Sequence, residues 1–471
     1  LPHSKTKRLG KTVVQGIIKL ANRQYIGKNL WMFIFVLHGA SMNEVEISNI
    51  ARVLFACAKR ASNSEQKRAH LIALPNMVLA LANDIATGNY KPQPFTVFAV
   101  TEPKLREIFA PAFADRIVHH WLVSQIEPWW NKRFIDDSYA NRQGKGTQAA
   151  IERLQALMRR EHHRWYCKLD VQAFFPSIDR TILLALWQRA LPRLPYPVAT
   201  RKRLEQVATA ILTQDPIQPQ PLRSGDQALL NRIPPHKSLF HAQPGKGLPI
   251  GSLTSQFFAN VYMNELDQYA KHQLRIGGYI RYVDDIILLG PDVATLMAWK
   301  AQIECFLRER LALTLHPRKT VIQRCKQGAD FLGAIVHPGH RLSRQRTVRA
   351  LRRRISWFNQ LLGSPSHLPP PLSGHWHRWL ANHPPLLPDG SPSLALLQRI
   401  LATLNSYYGF FSHANTWQLR QHLYHHELGE LRRYFLPDGP GYHHLRIRKA
   451  WLPLAHQQAA QQSVPRPGWV V

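Results

Sequence analysis

The chain has 471 residues, with 61 Lys and Arg against 29 Asp and Glu, a formal charge of +32 with His neutral. Such a field favours a polyanionic partner, and because the bases are spread along the chain rather than gathered on one amphipathic helix, a membrane surface is a poor fit. The four cysteines, at 57, 167, 305 and 325, include no C-x-x-C, and the 24 His form no H-E-x-x-H or H-x-x-x-H with a matching third ligand, which excludes a zinc ribbon and a disulfide scaffold and fits a reduced, cytoplasmic setting.

Residues 1–41 are poorly determined by their sequence. They are basic up to Lys28, and the apolar run that follows, Trp31 to Leu37, is too short to span a bilayer. Between 45 and 85, Val53, Leu54, Ala56, Leu71, Leu74, Met77, Leu79 and Leu81 recur at helical spacing, so 42–94 is expected as an N-terminal helical region. An aromatic and aliphatic strand beginning at Trp165 ends at Asp170 and runs into a bend and short helix; Cys167 within it reads as a small core residue. Residues 213–246 are rich in Pro, Gln and Arg and read as a surface insertion, with template contact as one use. A Gly/Pro/Ser loop from Gly247 opens an apolar helix running to Asp267. Its amides can lie beside a base and its phosphates, or the loop simply starts a helix.

Gly278 to Gly290 reads as two short apolar strands with Asp284 and Asp285 at the bend between them. Adjacent like charges repel, and a hard cation such as Mg²⁺ relieves them. A bare Asp-Asp turn is the alternative. Asp170, a third carboxylate at a strand end more than a hundred residues earlier, turns the pair into the expected ligand set of a two-metal site for nucleotidyl transfer. Further on, 345–362 is basic on one side and apolar on the other, which suits either contact with a duplex backbone or a solvated face. Residues 363–394 are Pro-rich, and a basic tail follows about Pro437.

Taken in this order, the motifs resemble those of a reverse transcriptase. Asp170 matches the first catalytic motif, Gly247–Gln256 the second and Tyr282–Asp285 the third. Phe95–Gly146, with Lys104, Arg106, Asp115-Arg116 and Ser138–Gly146, resembles the fingers. Leu313–Thr320 is similar to the motif carrying the palm lysine, Ala329–Val336 to the primer grip and Ser406–Asn415 to the thumb. The resemblance covers 90–345 well and 395–435 weakly. One departure narrows it. Most reverse transcriptases carry Gln-Gly-x-x-x-Ser-Pro where this chain has Ile250-Gly251-Ser-Leu-Thr-Ser255-Gln256. That loop is similar to the one in reverse transcriptases of diversity-generating retroelements, which copy a template RNA with frequent errors opposite adenines. Phage-defence reverse transcriptases share parts of it.

The resemblance implies an α+β fold, a right-hand polymerase with fingers, a palm of antiparallel sheet plus helices, and a helical thumb. Fingers and palm are expected over 95–345, with the insertion at 213–246. The thumb is expected over 346–435 with a Pro-rich linker at 363–394, and the basic tail over 436–471. Asp170, Asp284 and Asp285 would hold two Mg²⁺, with Mn²⁺ as a substitute. Lys319 would protonate the pyrophosphate leaving group, or be a plain charge at a strand start. Lys104 and Arg106 would hold the triphosphate, Lys104 having the alternative of a solvated charge. Phe175 would exclude a ribose 2′-hydroxyl, with Phe174 in the core. Ile250, Gly251 and Gln256 would line the nucleotide pocket, and Arg116, Arg142, Tyr282 and Gly333 would touch nucleic acid. Template RNA, primer and cDNA, dNTPs and a small basic accessory protein are the implied partners. A maturase-like RNA-binding protein with a vestigial site is the non-enzymatic alternative, against which the three intact carboxylates speak.

Overall fold

The structure, a computed structural model, describes residues 42–61, 73–101, 104–363, 374–383 and 385–452. The expectations for residues 1–41, for Leu71 and for the last residues of the tail lie outside them. The architecture is mixed α+β, as expected, and the chain divides into two units.

The first unit holds the described residues up to Gly146, Cys167–Leu288 and Ala294–Val321. It opens with the expected N-terminal helices, α1 (Met42–Ala61) and α2 (Leu74–Thr87). Val78, Leu81, Ala82 and Ile85 recur at the spacing of one helix face and are buried together, and Gly88 ends α2 in the left-handed conformation, its N–H donating to the Asp84 carbonyl. The hairpin of β1 (Thr96–Val100) and β2 (Arg106–Ala110) pairs Thr96 with Ala110 and Val100 with Arg106. Helix α3 (Phe113–Asn131) follows, and α1 packs on both α2 and α3. Helix α4 (Thr147–Met158) belongs to the second unit. Strand β3 (Trp165–Asp170) then carries Cys167 into the core, where burial pushes its thiol up to about 12. Helix α5 (Arg180–Ala190) is capped by Asp179, whose carboxylate accepts from the amides of Thr181 and Ile182 at 2.9 and 3.2 Å. After α6 (Val198–Thr213) the chain reaches a two-residue strand, β4 (Leu222–Arg223), which pairs in parallel with β1.

Most of 213–246 lies at the surface, and the segment is stitched to the β1–β2 hairpin. Leu239 packs with Phe95, Val97 and Phe109, and buried Glu107 on β2 accepts from Ser238 Oγ at 2.8 Å and from the Leu239 amide. Apolar residues were scattered among Pro and Gln in this stretch, so no periodicity marked its anchor points. Helix α7 (Leu253–Gln268) is buried on nearly every face. It precedes the hairpin of β5 (Gly278–Tyr282) and β6 (Asp285–Gly290), and β5, β6 and β3 lie side by side in that order. Helix α8 (Val293–Leu311) completes the unit.

The second unit comprises Thr147–Tyr166, Leu289–Val293 and the described residues from Ile322 onward. Its antiparallel strands β7 (Ala329–Phe331), β8 (Ala334–Val336) and β9 (Arg341–Ser343) pair in sequence order. Leu332 and Gly333 form the tight turn between the first two, with φ of 47° and 99°. A Cβ on Gly333 would sit 2.9 Å from the Phe410 ring, so the turn needs glycine for space as well as for φ. Helix α9 (Gln345–Gly363) turns Val348, Leu351, Ile355, Phe358 and Leu361 inward and leaves Arg346, Arg349, Arg352 and Arg353 exposed, the amphipathic split expected from its sequence. The expected linker at 363–394 is a correction. It contains α10 (Gly374–Asn382), and Trp376 sits in the core with its ring 5.3 Å from both Trp357 and Phe358. Helix α11 (Leu394–Ser412), begun by Ser393 Oγ accepting from the Leu396 amide, packs on this cluster. The expected start of a tail near Pro437 is also overturned: β10 (Phe435–Pro437) and β11 (Leu445–Ile447) form a hairpin that buries Phe435, Leu445 and Ile447 in the same core.

Trp376 is 3 % exposed. Trp376→Ala should cost about 3–5 kcal/mol, read as a lower denaturation midpoint for the second unit. A midpoint within error of wild type would show that the Pro-rich segment does not build this core.

Candidate active site

The three expected carboxylates come together at the ends of two neighbouring strands. Asp170 closes β3; Asp284 and Asp285 stand where β5 turns into β6, and each is half-buried. The turn is strained. Val283, a β-branched residue, has φ of 56°.

What holds Val283 there lies directly beneath. Arg281 on β5 is fully buried, and its Nη1 donates to the Val283 carbonyl at 3.0 Å. The same guanidinium grips Asp267, also fully buried, through Nε and Nη2 at 2.7 Å each. It further donates to Ser138 Oγ at 3.0 Å and Asn260 Oδ1 at 3.2 Å, while the Tyr279 hydroxyl donates to Asp267 at 2.7 Å. Burial works against the Arg281 charge, but the Asp267 carboxylate outweighs it and holds the guanidinium above its ordinary value. The backbone joins in: the Arg281 amide donates to the Asp137 carbonyl, and the Arg281 carbonyl accepts from the Tyr139 amide.

Electrostatically the cluster is uneven. Lys319 Nζ lies 2.6 Å from Asp170 Oδ2, and Lys168 Nζ lies 3.3 Å from Asp285 Oδ1. Burial pushes the Asp284 carboxyl up to about 6, with the like charges of Asp285 and Asp170 adding to it and Arg106 pulling the other way. Among the described residues no three His, Cys, Asp or Glu side chains form a ready-made metal cluster; Asp170 and Asp285 are engaged with the two lysines. Oxygen-only donors at a hairpin tip, one of them strained by like charge, nonetheless fit a hard divalent cation, which would replace lysine charge with its own.

Around this centre, Lys104 and Arg106 are exposed at the start of β2. Phe174 is buried and Phe175 half-buried in the turn after Asp170. The loop from Gly247 is held by its backbone: the Leu248 amide donates to the Phe175 carbonyl at 2.9 Å, and the Ile250 carbonyl accepts from the Phe109 amide on β2 at 2.7 Å. Gly251 has φ of 122°, and a Cβ there would lie 2.8 Å from the Phe109 carbonyl oxygen. Ile250 and Gln256 are half-buried, as is Tyr282 at the end of β5.

Arg142, expected to contact the template strand, is half-buried and braces the chain that precedes it. It donates to the carbonyls of Ile135, Ser138 and Asn131 at 2.7, 2.8 and 3.3 Å and to Asn131 Oδ1 at 3.1 Å. Arg116 is half-buried on α3 with its guanidinium over the Phe113 ring, and its neighbour Asp115 staples the chain by accepting from Tyr90 and from the Gln93 amide at 2.8 Å. Gly333 lies in the second unit.

Sequence reasoning missed Lys168, Arg281 and Asp267. Lys168 stands two residues before Asp170, hence on the same face of β3. Arg281 was the lone charge in an apolar strand, and Asp267 the acid at the end of an apolar helix; both are signals of a buried pair.

Residues 101–336 match the family described as reverse transcriptase (RNA-dependent DNA polymerase). Protein YkfC of Escherichia coli (strain K12) is 24% identical over 59% of this chain and 74% of its own length. The group II intron-encoded protein LtrA of Lactococcus lactis subsp. cremoris is 20% identical over 60% of this chain and 53% of its own. The retron Ec73 reverse transcriptase of Escherichia coli is 25% identical over 46% of this chain and 59% of its own. The chain thus spans little more than half of the last two. Telomerase from Candida albicans, solved with a fragment of telomeric RNA, aligns at a TM-score of 0.37 and 12% identity over 74% of this chain and 60% of its own, a likeness too slight to carry weight. No helix among the described residues is long and apolar enough to cross a membrane.

The Asp284 geometry makes a prediction in the absence of metal. Its folded pKa lies above the unfolded value, so the fold binds this proton the more tightly, and stability is lost as pH rises from 3.8 towards about 6. Asp284→Asn should therefore raise Tm at pH 7 without divalent ions by about 2–4 °C, with the difference gone at pH 4. Mg²⁺ should raise the wild-type Tm more than the variant's. A variant less stable than wild type at pH 7 would contradict this reading.

Proposed function

Since the chain belongs to the reverse transcriptase family, the RNA-dependent DNA polymerases, we propose that it copies a template RNA into cDNA at the Asp170, Asp284 and Asp285 cluster, with the adenine-directed errors of diversity-generating retroelements. The observation that carries the finer reading is the Ile250–Gln256 loop, whose Ile250 carbonyl accepts from the Phe109 amide of β2.

In this reading Asp170, Asp284 and Asp285 hold two Mg²⁺, or Mn²⁺ in their place. Bound there, the ions supply a polarised primer 3′-hydroxyl and charge neutralisation at the departing pyrophosphate. The protein's own residues do the rest. Lys104 and Arg106 hold the triphosphate, Arg106 from a strand whose charge already reaches Asp284. Phe175 occupies the space a 2′-hydroxyl would need. Lys319, already among the carboxylates, gives a proton to the pyrophosphate. Tyr282 packs beneath the primer terminus, and Arg116, Gly333 and the basic face of α9 meet nucleic acid. Gly251 brings the loop close to β2 and Gln256 follows on α7. Ile250 offers the nascent base pair a branched aliphatic in place of an amide. Its carbonyl is anchored at 2.7 Å, so the error arises from a missing side-chain hydrogen bond rather than from a loose loop. Template RNA, primer, dNTPs and a small basic accessory protein complete the system.

Primer extension on an RNA template with dNTPs and Mg²⁺, every product being sequenced, tests this. Products should vanish in Asp284→Ala/Asp285→Ala. Errors should concentrate opposite template adenines and fall about tenfold in Ile250→Gln. Faithful or template-free products would move the protein to the phage-defence class, and no product even with its flanking RNA would favour a maturase-like RNA-binding role.

A further inference from the structure

The loop after Gly247 has one more attachment, made by side chains. Ser252 occupies the N-cap of α7, yet its hydroxyl accepts no amide of that helix. It lies instead 2.9 Å from Nδ1 of His119 on α3 and 2.7 Å from Thr254 Oγ1, which is itself 3.3 Å from the same Nδ1. Ser252 and Thr254 are each 1 % exposed and His119 is 2 % exposed. The far nitrogen of the ring, Nε2, is buried with no partner.

That orphan decides the tautomer. Burial drives the His119 pKa down to about 3, so the ring is neutral and carries a single N–H. Placed on Nε2, the proton would be a buried donor with nothing to accept it, whereas on Nδ1 it meets the Ser252 oxygen and leaves at Nε2 only a bare lone pair, the less costly orphan. The Ser252 hydroxyl then donates on to Thr254. Both hydroxyls are thereby turned towards His119 on α3, and neither is spent on capping the amides of α7. Without the imidazole, Ser252 would be released to cap its own helix as N-cap serines ordinarily do. Ile250 and Gly251, two and one residues upstream, would then lose the anchor on their C-terminal side while keeping the bond to Phe109.

We propose that His119 is a positioning residue for nucleotide selection. Through Ser252 it fixes the 250–252 loop, and with it the Ile250 side chain, against the strand that carries Arg106. It touches neither substrate nor metal. The inference rests on the polymerase reading given above and names what sets the geometry of that pocket.

The test compares His119→Leu, which removes the donor; His119→Asn, whose amide nitrogen can stand where Nδ1 stood; and Ser252→Ala, which removes the acceptor. Two readouts are taken on the full chain. In primer extension, His119→Leu should raise KM for the correct dNTP about tenfold with kcat nearly unchanged and alter the misincorporation spectrum. His119→Asn should restore both to near wild type, and Ser252→Ala combined with His119→Leu should be no worse than either alone. Independently, amide hydrogen exchange over 248–256 should quicken in His119→Leu and Ser252→Ala but not in His119→Asn. Unchanged KM, spectrum and exchange in a folded His119→Leu would overturn the proposal, as would additive effects of the two single changes or a fall in kcat alone. A wild-type protein that makes no DNA sinks the polymerase reading and the nucleotide role with it, while the exchange arm still decides whether His119 holds the loop.

Discussion

The first unit is organised around one buried ion pair. Arg281 and Asp267 are both fully excluded from water, and desolvating two charges is repaid only when every donor and acceptor finds a partner. Here they do, and the partners come from separate stretches of chain: Ser138 from the loop after α3, Asn260 and Asp267 from α7, Tyr279 and Val283 from the β5–β6 hairpin. Removing one member of such a pair leaves an uncompensated buried charge, at a cost of about 3–5 kcal/mol. The carboxylate-bearing tip inherits that rigidity, because the guanidinium that neutralises Asp267 also fastens the carbonyl of the strained Val283.

A second principle governs the neighbouring loop. Its ties to the Phe175 turn and to β2 run mostly through backbone amides and carbonyls, which any residue supplies. Glycine is demanded at 247 and 251, where Leu239 and β2 leave no room for a Cβ. Position 250 is thereby released from structural duty, and an aliphatic can replace an amide there without loosening the scaffold.

The parts of the molecule that could be read in advance are those with local signatures. The hairpin bearing Asp284 and Asp285, the strand ending at Asp170 and the two-faced helix α9 each announce themselves by periodicity or by charge at a strand end. What could not be read depended on pairing across long separations. Only the fold of 131–138 shows that Arg142 spends most of its donors on nearby carbonyls. Trp376 and the Phe435 hairpin lay in Pro-rich or basic stretches whose composition suggests a linker and a tail, yet aromatic packing from α9 and α11 draws both into a core. The anchors of segment 213–246 were hidden for the same reason: Ile217, Leu230, Leu239 and Phe240 are scattered along it without a period.

Helix α4 leaves a further mark on the life of the chain. Ala150, Ile151, Leu154, Leu157 and Met158 are buried, but the unit that includes them is built mostly from residues made much later. Gln155 Nε2 and Arg159 Nε donate to the carbonyls of His337 and Pro338, partners 182 and 179 positions downstream. A ribosome adding about 5–20 residues per second needs on the order of 10–40 s to reach them. For that interval the residues of its own unit that come later in the chain are not there to cover this apolar face. A chain ending at residue 321 would lack those partners altogether.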